Sequence, residues 1–83
     1  MTANANQPNI HQLTARELQV ATLVALALTD RQISDSLFIS VTTVKAHINM
    51  VRSKLNLANR TAVCRWMLVT HYERNTNLLD NVL

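Results

Sequence analysis

The sequence predicts an all-α fold, a small bundle-like domain of four helices preceded by a polar arm. Three observations carry that expectation. Helix-start signatures recur at short intervals, apolar residues are spaced by threes and fours, and no stretch alternates apolar with polar residues as a half-buried strand would. The chain has 83 residues, 48% of them hydrophobic, which suits one domain near the lower size limit for an unstapled core.

Residues 1–12 (MTANANQPNIHQ) are polar, hold the single proline and lack periodicity, so they read as a flexible arm or linker before a domain at 13–73. The first helix is expected at 15–26. Thr14 caps it, Glu17 reaches back to the cap, and Leu13 and Leu18 occupy the two staple positions. Leu18, Ala21, Thr22, Ala25 and Leu26 share one side, with Val20, Leu23 and Val24 alongside. The same grammar marks a second helix at 30–37, with Thr29 as cap, Gln32 as its partner and Leu28 against Ile33.

A third helix is expected at 41–55, capped by Ser40, with Ile39 placed to pack on Val44. A fourth, at 60–73, has Asn59 as its cap. Val63, Trp66, Met67 and Thr70 form one stripe on it, Cys64, Leu68 and His71 a second, Ala62 and Val69 a third. A helix apolar nearly all round needs cover on more than one side. Residues 74–83 form a C-terminal tail that can extend this surface as a short helix. Glycine is absent, so Ala27 or Leu28 must end the first helix and Asn56 is the left-handed residue after the third. An alanine held at positive φ costs up to about 1 kcal/mol relative to glycine.

The net charge is only +3, but its distribution says more. Between residues 36 and 72 stand Lys45, Arg52, Lys54, Arg60 and Arg65 without an acid. Such a stretch attracts polyanions through its local field, whatever the total charge. No apolar run approaches a membrane span, and Cys64 is the one cysteine, so a soluble, cytoplasmic protein without an internal disulfide is expected. His11, His47 and His71 are scattered and support no metal site. No carboxylate pair, phosphate-binding glycine loop or nucleophile-base spacing is present, which argues against an enzyme and implies no cofactor.

A short second helix, the tight link Phe38-Ile39-Ser40 and a longer third helix make a helix-turn-helix arrangement. On a helical wheel Val44, Ile48, Val51 and Leu55 fall within about 60° of one another. Thr42, Lys45, Ala46, Asn49, Arg52 and Ser53 face nearly the opposite way. That far side suits the DNA major groove. Ala46 lets the backbone approach base edges, Asn49 can pair with adenine, and Lys45 can donate to guanine acceptors. Arg52, Lys54 and Arg60 are placed for phosphates, and Thr29, Ser40 and Thr42 for uncharged backbone contacts.

LTARE stands at 13–17, IS at 33–34, LFIS at 37–40, TTVKAH at 42–47 and KLNLANRT at 54–61. In order and spacing these motifs resemble the LuxR/FixJ-type (GerE-like) DNA-binding domain of bacterial transcription regulators. The resemblance covers about residues 13–70. It implies recognition of double-stranded DNA by the third helix, with Lys45, Ala46 and Asn49 as base-contacting residues. It makes Thr43, Lys54 and Arg60 candidates for backbone or structural contacts. It further implies a homodimer through the fourth helix, to which Cys64, Leu68 and His71 are assigned. Ala15 stands where the family usually has proline, Ala27 where glycine is common, and Asn49 where some relatives carry a base. RNA polymerase or a larger regulator is a further implied partner. The competing expectation is a protein-interaction module that kept the fold, lost DNA binding and pairs with a larger regulator through the fourth helix.

Overall fold

The computed structural model describes residues 9–74, with side chains through Thr70. Four helices follow in order: α1 Ala15–Ala25, α2 Asp30–Leu37, α3 Val41–Leu55 and α4 Arg60–Arg74. The described residues contain no strand. The tail expected at 74–83 lies outside the described residues, apart from Arg74 at the end of α4.

All four starts form as their sequences dictate. Thr14 Oγ1 accepts from Glu17 N at 3.1 Å, and Glu17 Oε1 accepts from Thr14 N at 3.0 Å. Thr29 and Gln32 repeat the exchange at 3.1 and 2.8 Å. Ser40 Oγ accepts from Thr43 N at 3.0 Å, and Asn59 Oδ1 accepts from Ala62 N at 2.8 Å. Each cap satisfies an amide that has no partner within its helix and contributes about 1 kcal/mol.

A fifth instance of this grammar lies in the arm, which is not wholly flexible. Asn9 Oδ1 accepts from His11 N at 2.8 Å, and Gln12 Oε1 accepts from Asn9 N at 2.7 Å. The box opens a 3-10 helix at Ile10–Gln12, whose Ile10 packs against the core. Structure therefore begins before residue 13, because an amide on each side of one turn finds a side-chain partner.

The ends of α1, α2 and α3 are closed alike, and none uses glycine. Ala27 (φ 68°), Phe38 (φ 57°) and Asn56 (φ 56°) are all left-handed. After each, the next residue's amide returns to a carbonyl five positions back: Leu28 to Leu23 at 3.1 Å, Ile39 to Ser34 at 3.2 Å, Leu57 to Arg52 at 2.8 Å. These are Schellman closures, and an apolar residue follows the left-handed one every time. Ala27 and Asn56 match expectation. Phe38 does not, since an aromatic residue is an unfavourable choice there.

α1 packs against both α3 and α4, and α2 lies on α3. The core joins Val20, Ala21 and Val24 of α1, Ile33 of α2, Val44, Ile48, Val51 and Leu55 of α3, and Val63 and Met67 of α4. The α3 row is buried as its spacing predicted. On α1 the inward side differs from the expected one. Glu17, Val20, Ala21 and Val24 are buried, whereas Thr22 is exposed and Leu26, one residue beyond the helix, is 64% exposed. The rotation brings Glu17 under α3, where Lys54 meets it.

Candidate nucleic-acid interface

The burial of Val44, Ile48, Val51 and Leu55 fixes the rotation of α3 about its axis, and so determines what stands opposite. Thr42, Thr43, Lys45, Ala46, Asn49 and Ser53 are all exposed. Lys45 has no acidic partner among the described residues. Lys45 and Ala46, at the centre of the face, are thus free to meet a ligand, while the Asn49 Oδ1 beside them lies 3.4 Å from Arg52 Nη1. His47 is half-buried at the edge between the two sides.

The N-terminal end of the face is held by its cap. Ser40 Oγ accepts from Thr43 N and donates to Thr43 Oγ1 at 2.9 Å, which ties the two hydroxyls into one small polar group. Beside it a shallow cleft is lined by Ala27, Thr29, Asp30, Val41, Lys45 and Arg60. Here the N-terminus of α2 approaches the start of α3.

The other basic residues assigned to DNA phosphates are engaged within the domain. Lys54 Nζ donates to Glu17 Oε1 at 2.7 Å. Burial pushes the Glu17 carboxyl up, but the Lys54 bond and the bonds with Thr14 outweigh it and hold the group below its ordinary range. Arg60 donates through Nη1 to Asp30 Oδ1 and through Nη2 to the Leu28 carbonyl at 2.6 Å, bracing the α1–α2 turn against the start of α4. Arg52 donates through Nη2 to the Ala58 carbonyl at 2.7 Å, and its Nε lies 3.5 Å from the Leu57 carbonyl. The three cations hold the framework around α3. Sequence spacing alone could not reveal the contacts of Lys54 and Arg60, because their acceptors stand 30 to 37 positions away on other elements.

On α4, Val63 and Met67 face the core. Cys64 is half-buried, with Sγ 3.8 Å from the Ala25 carbonyl, so it packs beside α1. Leu68 and Val69 are 52% and 49% exposed. His71 lies within α4, but its side chain is outside the described residues. Leu26, just past the end of α1, adds a further exposed apolar residue.

Among the described residues no group of three or more histidine, cysteine, aspartate or glutamate side chains could hold a metal ion. No described helix is long and apolar enough to cross a membrane.

Residues 11–67 match the family model described as bacterial regulatory proteins, luxR family. The chain is similar to the transcriptional regulatory protein LiaR of Bacillus subtilis, 45% identical over 49 residues, covering 59% of this chain and 23% of the relative. It is similar to the oxygen regulatory protein NreC of Staphylococcus carnosus, 33% identical over 66 residues, covering 80% of this chain and 30% of the relative. It is also similar to the probable transcriptional regulator ycf29 of Pyropia yezoensis, 37% identical over 82 residues, covering 96% of this chain and 34% of the relative. The chain thus spans about a quarter to a third of the length of these relatives.

Proposed function

The chain belongs to the luxR family of bacterial regulatory proteins, and on that premise we propose that it binds double-stranded DNA sequence-specifically, as a dimer, in transcription regulation. The observation that carries this reading is the exposed, acid-free face of α3, with Lys45, Ala46 and Asn49 at its centre. A face kept dry by packing would be apolar, and a merely solvated one ordinarily mixes both signs of charge.

α3 enters the major groove, where Lys45 donates to guanine acceptors, Asn49 reads a purine edge, and Ala46 admits the backbone and touches a thymine methyl. The hydroxyls of Thr29, Ser40, Thr42 and Thr43, with the helix N-terminal amides of α2 and α3, meet phosphate oxygens. Arg52, Lys54 and Arg60 add their charge to the field while holding the frame. Two copies pair through α4, with Leu68 and Cys64 in the interface and His71 extending it. Exposure of Leu68 and Val69 supports that pairing.

Selection of bound sequences from a random DNA pool, followed by titration at several salt concentrations, tests the proposal. A two-fold symmetric winner is expected, with log affinity falling against log salt at about −0.9 per phosphate contact. The competing reading, an interaction module without DNA binding, draws on the same exposed apolar residues of α4. It predicts no affinity for any duplex even at low salt.

A further inference from the structure

The side chain of Arg52 ends in three donor nitrogens, each facing a different acceptor. Nη2 meets the Ala58 carbonyl at 2.7 Å, Nε lies 3.5 Å from the Leu57 carbonyl, and Nη1 lies 3.4 Å from Oδ1 of Asn49. The first two anchor the guanidinium to the α3–α4 connection. Its plane is rigid, so fixing those two donors leaves the third little freedom. Asn49 is one turn earlier on α3, exposed, and at the centre of the proposed reading face. Asn49, Arg52, Ser53, Asn56 and Leu57 line one shallow polar depression.

An asparagine amide has an oxygen that accepts and a nitrogen that donates, and the two ends differ little in shape. A guanidinium can only donate. The end of Asn49 that faces Arg52 is therefore the oxygen, and the NH2 group is turned away from it. We infer that Arg52 is a specificity-determining positioning residue, orienting the Asn49 amide so that it offers its donors to the DNA. This inference rests on the DNA-binding reading and deepens it.

The consequence concerns which base Asn49 prefers. Paired recognition of adenine needs the amide oxygen on N6–H and the amide nitrogen on N7. With the oxygen held toward Arg52, the donor end meets an acceptor-rich edge, and guanine offers N7 and O6 side by side. Guanine is thus favoured over adenine at the base under Asn49. Removing Arg52 frees the amide to turn, and adenine recovers.

The test compares the unchanged protein with Arg52→Leu, Arg52→Lys and Asn49→Ala on duplexes derived from its selected site. The position read by Asn49 is the one whose base preference disappears in Asn49→Ala. There, Arg52→Leu is expected to shift the guanine-to-adenine affinity ratio toward adenine by about fivefold, the equivalent of one neutral hydrogen bond. In an Asn49→Ala background the same substitution leaves the ratio unchanged. Arg52→Lys, which loses the planar fork, shifts the ratio in the same direction.

A second measurement needs no DNA and guards against loss of folding. The Asn49 side-chain amide resonances of the free protein are expected to move in both Arg52 variants, while the amides of core residues stay in place. A uniform loss of affinity on all duplexes with an unchanged guanine-to-adenine ratio, or unmoved Asn49 resonances in folded variants, would overturn the positioning role. Sequence-blind binding by the unchanged protein would instead overturn the DNA-reading premise, and the specificity inference with it.

Discussion

Lys54, near the end of α3, donates to Glu17, in the first turn of α1, at 2.7 Å, and the Glu17 side chain is only 7% exposed. The same carboxylate accepts from Thr14 N, so one buried group caps α1 and fixes α3 against it. Removing the lysine would leave an unpaired buried charge, which costs more than the pair contributes.

Stability should therefore decline at acid pH for a definable reason. The folded-state pKa of Glu17 is lowered below its ordinary 4.5, so its contribution is fully present above that value and is lost as pH falls through the depressed one. Urea unfolding across pH 3 to 7 checks this. Glu17→Gln should be less stable than the unchanged chain at neutral pH and lose less on acidification. Equal acid sensitivity in both would reject the assignment.

The left-handed residues give a second prediction. Ala27→Gly removes a Cβ from a position at φ 68° and should stabilise the domain by up to about 1 kcal/mol, raising Tm by several degrees. Phe38→Gly should do likewise, since Phe38 is 93% exposed and its ring packs on little. Asn56→Ala should lower Tm. Thermal melts by circular dichroism decide all three, and a fall in Tm for Ala27→Gly would show that the turn does not need its left-handed conformation.

These turns also show what was legible in the sequence. Caps, helix spans and the buried row of α3 could be read because each depends on residues within a turn or two of one another. The left-handed Phe38 went unrecognised although a signal was present. Ala27-Leu28-Thr29 and Phe38-Ile39-Ser40 share one pattern, a closing residue, an apolar residue and a helix cap. The pairings of Lys54 with Glu17 and Arg60 with Asp30 bridge 37 and 30 positions, and no local spacing encodes them. The burial of Glu17 is illegible for the same reason, because a glutamate buried against a distant lysine resembles a solvated residue in the sequence.

Arg60 supplies a third prediction. Its fork joins Asp30 to the Leu28 carbonyl, an arrangement that a lysine cannot reproduce. Arg60→Ala should cost about 1–2 kcal/mol of stability, with Arg60→Lys recovering only part of it. Any loss of DNA affinity should be equal on preferred and unrelated duplexes. A change in sequence preference would mean that Arg60 reads bases rather than braces the turn.

A charge on the exposed side of α4 should disrupt self-association. Leu68 is 52% exposed, so Leu68→Glu removes little from the core of one subunit yet places a carboxylate where two copies are proposed to meet. Sedimentation should report a shift to monomer with Tm changed by only a few degrees, and the loss of affinity relative to the unchanged chain should be larger on a symmetric site than on a half-site. An unaltered sedimentation profile would place the dimer contact elsewhere.

The most direct test of base reading by α3 is the discrimination energy of Lys45→Ala and Asn49→Ala. Each variant is titrated against the selected duplex and against an unrelated one at the same salt concentration. A loss of about 1–3 kcal/mol on the selected duplex, with a clearly smaller loss on the unrelated one, is predicted. Losses of the same size on both duplexes, or none on either, would contradict it.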